Sequence, residues 1–133
     1  MQAFIWDQRF DTGIVSVDEQ HKHIVDVVNQ LGHMLECGED PDSDALKSLF
    51  HDLAQYAHRH FSDEERLMVE HGVDQRHLQT HAMHHRRFVE QVVSLWNSRA
   101  SLKKPAETLH GFLASWLTVH ILGEDQVMAR QIA

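Results

Sequence analysis

Apolar residues recur along this chain at steps of three and four, the period of an α-helix, in four separate segments. The first runs from about Val17 to Cys37 and carries Ile24, Val27, Val28, Leu31 and Leu35 on one face; Ser16 or Asp18 is placed to cap its start and Gly38 to stop it. The second is predicted from about Ser43 to Glu70, turning Leu46, Leu49, Phe50, Leu53, Ala57, Phe61 and Leu67 inward. The third spans about Gln75 to Ser98 with a stripe of Phe88, Val89, Val92 and Trp96. The fourth opens at Pro105, which suits a first helical position because its missing N–H is not needed there, and continues through Leu109, Phe112, Leu113, Trp116 and Met128. Gly38-Glu39-Asp40-Pro41-Asp42, Gly72 with Asp74, and Lys103-Lys104-Pro105 interrupt the pattern. No segment alternates as a strand does. Four helices of about 20 to 28 residues joined by short turns predict an all-α fold, an antiparallel up-down-up-down four-helix bundle behind an irregular N-terminal arm from Met1 to about Ser16.

Composition narrows the function classes. A chain of 133 residues with 42% hydrophobic and 24% charged residues fits one domain, residues 1–133, with a core of its own. A net charge of −8 supplies no basic face for phosphates, so a nucleic-acid partner is not expected. No apolar run approaches the roughly 20 residues that cross a bilayer, so no membrane partner is expected either. Cys37 stands alone, and the start Met1-Gln2-Ala3-Phe4-Ile5-Trp6-Asp7 lacks the basic and apolar regions of an export signal; both point to the cytoplasm. The last helix reaches Ile132-Ala133 with no stop signal, which reads as a helix continuing into a linker, as in the N-terminal part of a longer protein. Histidine is the unusual residue, at thirteen in 133.

His21, His60, His81, His85 and His120 fall on or beside the apolar stripes, while His23, His33, His51, His58, His71, His77, His84 and His110 read as mostly solvent-facing. Residues four apart share a helix face, so His60 and Glu64 on the second helix, and two of the ladder His77, His81 and His85 on the third, can each grip one ion. The first helix offers His21 and the fourth His120. One inward histidine is usually a hydrogen-bonded core residue, and one His/Glu pair is usually a surface pair. Several buried imidazoles from four helices, each costly without a partner, point instead to a shared metal. Spacing leaves two matters open: His77/His81 against His81/His85 on the third helix, and the partner of His120, for which the four-residue step favours Glu124 and leaves Asp125 about 140° away.

The sequence resembles the hemerythrin family, from about Trp6 to Met128. The resemblance rests on Asp18-Glu19-Gln20-His21-Lys22, on Tyr56 with His60-Phe61, Glu64-Glu65 and Met68, and on Trp116-Leu117 with His120-Ile121 and Asp125. On the third helix His81, His85 and Phe88 satisfy the family's His-x-x-x-His-x-x-Phe, whereas the register starting at His77 puts His84 in the phenylalanine's place. The resemblance implies a metal set of His21, His60, Glu64, His81, His85, His120 and Asp125, with His77 as the less favoured alternative. It further implies two iron ions bridged by an oxo or hydroxo group, with dioxygen as the ligand. Of about twelve positions on two octahedral ions, five imidazoles, two bridging carboxylates and that bridge leave one for an outside ligand. Phe61, Trp116, Leu117 and Ile121 are candidates for the wall of the oxygen pocket.

The implied function is dioxygen binding rather than enzymatic turnover. Its expected use is as an oxygen or redox sensor for a covalently linked output domain of a signalling protein, such as a diguanylate cyclase. The alternative is a free-standing oxygen carrier or store, and after that a peroxide- or nitric oxide-processing di-iron enzyme. A carboxylate-rich oxygenase site is disfavoured, since Glu107-Thr108-Leu109-His110 is the chain's one Glu-x-x-His. A zinc-protease His-Glu-x-x-His is absent.

Overall fold

The computed structural model describes residues 4–38, 40, 43–98 and 105–132. Four long helices form the bundle: α1 (Val15–Glu36), α2 (Asp44–Glu70), α3 (Gln75–Asn97) and α4 (Pro105–His120). A π turn (Ile121–Asp125) joins α4 to a last short helix, α5 (Gln126–Ile132). Each long helix packs on the next, and α4 also packs on α1, closing the antiparallel ring. Among the described residues there is no strand, and no helix is long and apolar enough to cross a membrane.

The helix ends follow local chemistry. Ser43 caps α2 by accepting from the Leu46 N–H at 3.2 Å, and Asp74 caps α3 by accepting from the Arg76 N–H. α1 begins differently from expectation, because neither Ser16 nor Asp18 is its cap. The helix already starts at Val15, behind Ile14, which makes no side-chain cap. Asp18, inside the first turn, reaches back to the Thr12 N–H at 2.9 Å, the Thr12 hydroxyl at 2.7 Å and the Gly13 N–H at 3.2 Å. α2 ends on Gly72 at φ 64°, where the Val73 N–H reaches the Met68 carbonyl at 3.0 Å and the Gly72 N–H reaches Val69 at 3.2 Å. Only glycine adopts that left-handed turn without strain. The turn also folds buried Val73 back onto buried Met68.

The N-terminal arm holds one 3₁₀ turn, Gln8–Phe10, and lies against the bundle. Phe4 and Phe10 are buried, the Phe4 N–H donates to Asn29, and the Gln126 amide donates to the carbonyls of Arg9, Phe10 and Asp11. The predicted faces of α1 to α4 supply one large core, including Val28, Leu31, Leu46, Leu53, Phe88 and Leu113. A smaller apolar cluster of Val17, Met68, Val73 and Met128 forms separately. His110, expected at the surface, is buried at 6% exposure because α1 has Gly32 there; a Cβ on Gly32 would meet the His110 ring at 2.4 Å.

Candidate metal centre

Between the two apolar clusters lies a polar layer. His21 from α1, His60 and Glu64 from α2, His81 and His85 from α3, His120 at the end of α4 and Asp125 in the π turn meet there, all at 0–5% exposure. Each helix delivers its group on the face that also carries its core residues, so packing the bundle assembles the layer. The resemblance-derived set is thereby brought together, and the two alternatives that spacing left open, His77 and Glu124, lie outside the layer. On α3, His81 and His85 point inward, while His77 is half-buried with its Nε2 3.0 Å from the outer Nδ1 of His81. On α4, the π turn inserts the extra residue that carries Asp125 onto the interior face. Glu124 is left outside, where its Oε1 pairs closely with His84 and lies 3.6 Å from Nδ1 of His120.

All five histidines present Nε2 to the interior, toward two carboxylates whose oxygens divide between them. Glu64 Oε2 lies 3.0 Å from His60 and 3.5 Å from His21, while its Oε1 lies 2.9 Å from His81 and 3.3 Å from His85. Asp125 Oδ2 lies 3.0 Å from His21, and its Oδ1 lies 2.9 Å from His81 and 3.2 Å from His120. Each carboxylate thus gives one oxygen to a two-histidine group, His21 and His60, and the other to a three-histidine group, His81, His85 and His120. Two sets of donor atoms within reach of a single ion share Glu64: one adds His21 and His60, the other His81, His85, His120 and Asp125.

This donor set fits a metal pair on two observations. All four oxygens of Glu64 and Asp125 are buried without a properly directed hydrogen bond, although imidazole nitrogens surround them. Buried carboxylates so placed are strongly unfavourable unless a cation satisfies them. Furthermore, Nε2 of His120 lies 3.1 Å from Nε2 of both His81 and His85. Two ligands at right angles on one ion, with metal–nitrogen bonds of about 2.1 Å, stand about 3.0 Å apart. Imidazole and carboxylate without thiolate suits iron, zinc or manganese more than a soft ion.

Without a metal, protons must hold the layer together. Burial pushes His21, His81 and His120 down, but the facing carboxylates outweigh it and raise them to about 10, about 10 and about 9. Burial likewise raises Glu64, yet His21, His60, His81 and His85 hold it well below its ordinary 4.5. Burial and neighbouring Glu64 raise Asp125, and His120 and His21 overcome both, keeping it below 3.8.

Aromatic rings wall the three-histidine side. Phe61 stacks on His85 at 4.0 Å and Trp116 on His120 at 4.3 Å, while Leu117 and Ile121 are buried in the same large core. The outer nitrogens have partners that the sequence reading did not single out. Gln20 Oε1 lies 2.6 Å from Nδ1 of His60 and Glu65 Oε2 lies 3.1 Å from Nδ1 of His85. Gln20 and Glu65 stand inside the motifs already quoted, so their place beside the ligands was the available signal. His84 gave none, because its pairing with Glu124 depends on how α3 packs against the π turn, whereas His77 stands one helical step before His81 on the same helix.

Comparison with known proteins agrees with this geometry. The hemerythrin HHE cation binding domain matches residues 12–132. Bacteriohemerythrin of Pseudomonas aeruginosa is 28% identical over 125 residues, 94% of this chain and 78% of that protein. Bacteriohemerythrin of Clostridium acetobutylicum is 27% identical over 126 residues, covering 92% of this chain and 96% of that protein. That of Stenotrophomonas maltophilia is 27% identical over 132 residues, 99% and 83% respectively. With a cation-binding domain matched along nearly its whole length and a two-centre donor layer in its core, the chain belongs to the hemerythrin family.

Proposed function

We propose that the chain is a single hemerythrin-like domain that binds dioxygen reversibly at a di-iron centre. Glu64 and Asp125 would offer an oxygen to each ion, His81, His85 and His120 would hold one, and His21 and His60 would hold the other. The observation that carries this reading is the division of both carboxylates between a three-histidine and a two-histidine group. When bound, iron supplies the electrons that dioxygen takes up and returns. The protein supplies fixed imidazoles, a site closed to bulk water, and one fewer ligand on the His21/His60 side, which leaves room there for a small outside molecule. Phe61 and Trp116 brace the opposite side, so in this reading they hold ligands in place more than they line the oxygen pocket. Five imidazoles against two inner carboxylates favour binding over the oxygen activation of carboxylate-rich centres.

The use of the bound oxygen, in our reading, is sensing. Asp125 lies in the π turn that runs directly into α5, so a displacement of its carboxylate is passed to the following helix, from which an attached output domain could take its signal. A carrier or store is the second reading. It is favoured by the Clostridium acetobutylicum relative, 96% of which is covered by the match. Anaerobic loading of the metal-free protein with ferrous iron tests the shared claim. It should take up two irons per chain and develop a visible absorption band with oxygen that disappears when oxygen is removed. His85→Ala should lose iron and His77→Ala should keep it. A folded wild-type protein that takes up no iron overturns the proposal.

A further inference from the structure

The two histidine groups differ in what stands behind them. All five rings turn Nε2 inward, so in a metal-bound ring Nδ1 carries the hydrogen and donates it outward. In the three-histidine group, His85 faces the Glu65 carboxylate at 3.1 Å, His120 faces Glu124 at 3.6 Å, and His81 faces the ring of His77 at 3.0 Å. In the two-histidine group, His60 faces the neutral amide of Gln20 at 2.6 Å, and Nδ1 of His21 is buried with no hydrogen-bond partner. The inner carboxylates do not produce this asymmetry, since each divides its oxygens between the groups.

An anionic acceptor draws the Nδ1 hydrogen outward and makes the ring a stronger donor to its metal; a neutral amide does so less, and an absent acceptor not at all. We propose that Glu65, and more weakly Glu124, are positioning residues that make the three-histidine ion the more electron-rich of the pair, so that it is oxidised first and reduced last. This rests on the di-iron reading and adds to it an order of electron transfer. In each step one ion exchanges one electron with an external electrode, and the protein is neither oxidised nor reduced. Glu65 is about one-third exposed, at the surface end of its hydrogen bond, so Glu65→Gln keeps shape and packing while removing the charge.

The experiment is anaerobic spectroelectrochemistry of the iron-loaded protein, reading the two one-electron midpoints, with Mössbauer spectra of the one-electron form to identify the ferric ion. In the wild type the ferric ion should sit in the three-histidine position. Glu65→Gln should raise the lower midpoint and narrow the gap between the two. Glu124→Gln should do so by less, as its carboxylate is farther away. Gln20→Glu, which places a carboxylate behind His60, should narrow the gap from the other side by lowering the higher midpoint. Midpoints unmoved in both Glu65→Gln and Gln20→Glu, with two irons bound, overturn the inference and leave the di-iron reading intact. A wild type that binds no iron overturns both.

Discussion

On α2 a histidine and a carboxylate four residues apart, His60 and Glu64, reach the interior from an uninterrupted helix. On α4 the equivalent pair, His120 and Asp125, is five residues apart and reaches it through a π turn. Each helix also carries a second, adjacent carboxylate that stays outside behind a histidine: Glu65 beside His85, and Glu124 near His120. The inner carboxylate is therefore the first of the adjacent pair on α2 and the second on α4. A π turn costs helical regularity and commonly marks a functional site, so its position between two interior donors is informative. Helix periodicity decides which carboxylate a regular helix turns inward, and one inserted residue reverses the choice.

The sharpest way to break this comparison is to remove the adjacent carboxylates one at a time. Asp125→Ala should reduce bound iron well below two per chain, because both centres lose an oxygen. Glu124→Ala should keep two irons with affinity lowered about 10- to 100-fold, the usual effect of removing a group that orients a ligand. Iron content after equilibrium dialysis against graded chelator separates the two. The reverse pattern would mean that α4 follows the regular spacing of α2.

Much of this was legible in the sequence. The inward faces of all four helices and the pairing of His60 with Glu64 follow from a period of 3.6 residues, and Pro105 at the start of α4 from its missing N–H. Asp125 was legible only through family resemblance, since its position violates that period. His110 was misread because its burial depends on the missing side chain of Gly32, a residue 78 positions away in sequence that only packing brings near. The start of α1 was misplaced because Asp18 satisfies the preceding turn from within the helix, which a search for a residue ahead of the helix does not find.

A second, smaller effect concerns protons. In the metal-free protein His21, His81 and His120 have folded-state values near 9 to 10 against an ordinary 6.5, so their contribution is fully present below about 6.5 and is lost as pH rises through 9 to 10. Glu64 and Asp125 are depressed, so theirs is present above their ordinary 4.5 and 3.8 and is lost as pH falls below them. Thermal unfolding of the metal-free protein should therefore peak between about pH 4.5 and 6.5 and decline toward 10. Glu64→Gln and Asp125→Asn should each flatten that decline, whether the carboxylate comes from the regular helix or the π turn. A midpoint constant from pH 6.5 to 10 would show that these histidines are not held charged by the two carboxylates.

The smallest effect measures what the π turn demands of its own backbone. Gly123 lies inside it and Gly111 in the regular part of α4, and a Cβ added at either meets nothing within 4 Å. Neither has the left-handed φ that favours glycine, since the positive values occur at Gly13, Gly38 and Gly72. Glycine within a helix costs roughly 0.5–1 kcal/mol relative to alanine, chiefly because the unfolded chain is freer, so Gly111→Ala should stabilise the protein by about that amount. If the π turn is as relaxed as the α-helix around it, Gly123→Ala should gain the same, and iron content should stay at two. Urea unfolding of the two variants, metal-free, reads the difference. A smaller gain at Gly123, or a loss of iron there alone, would mean that glycine is what permits the inserted residue, and that α4 obtains Asp125 at a backbone cost that α2 does not incur for Glu64.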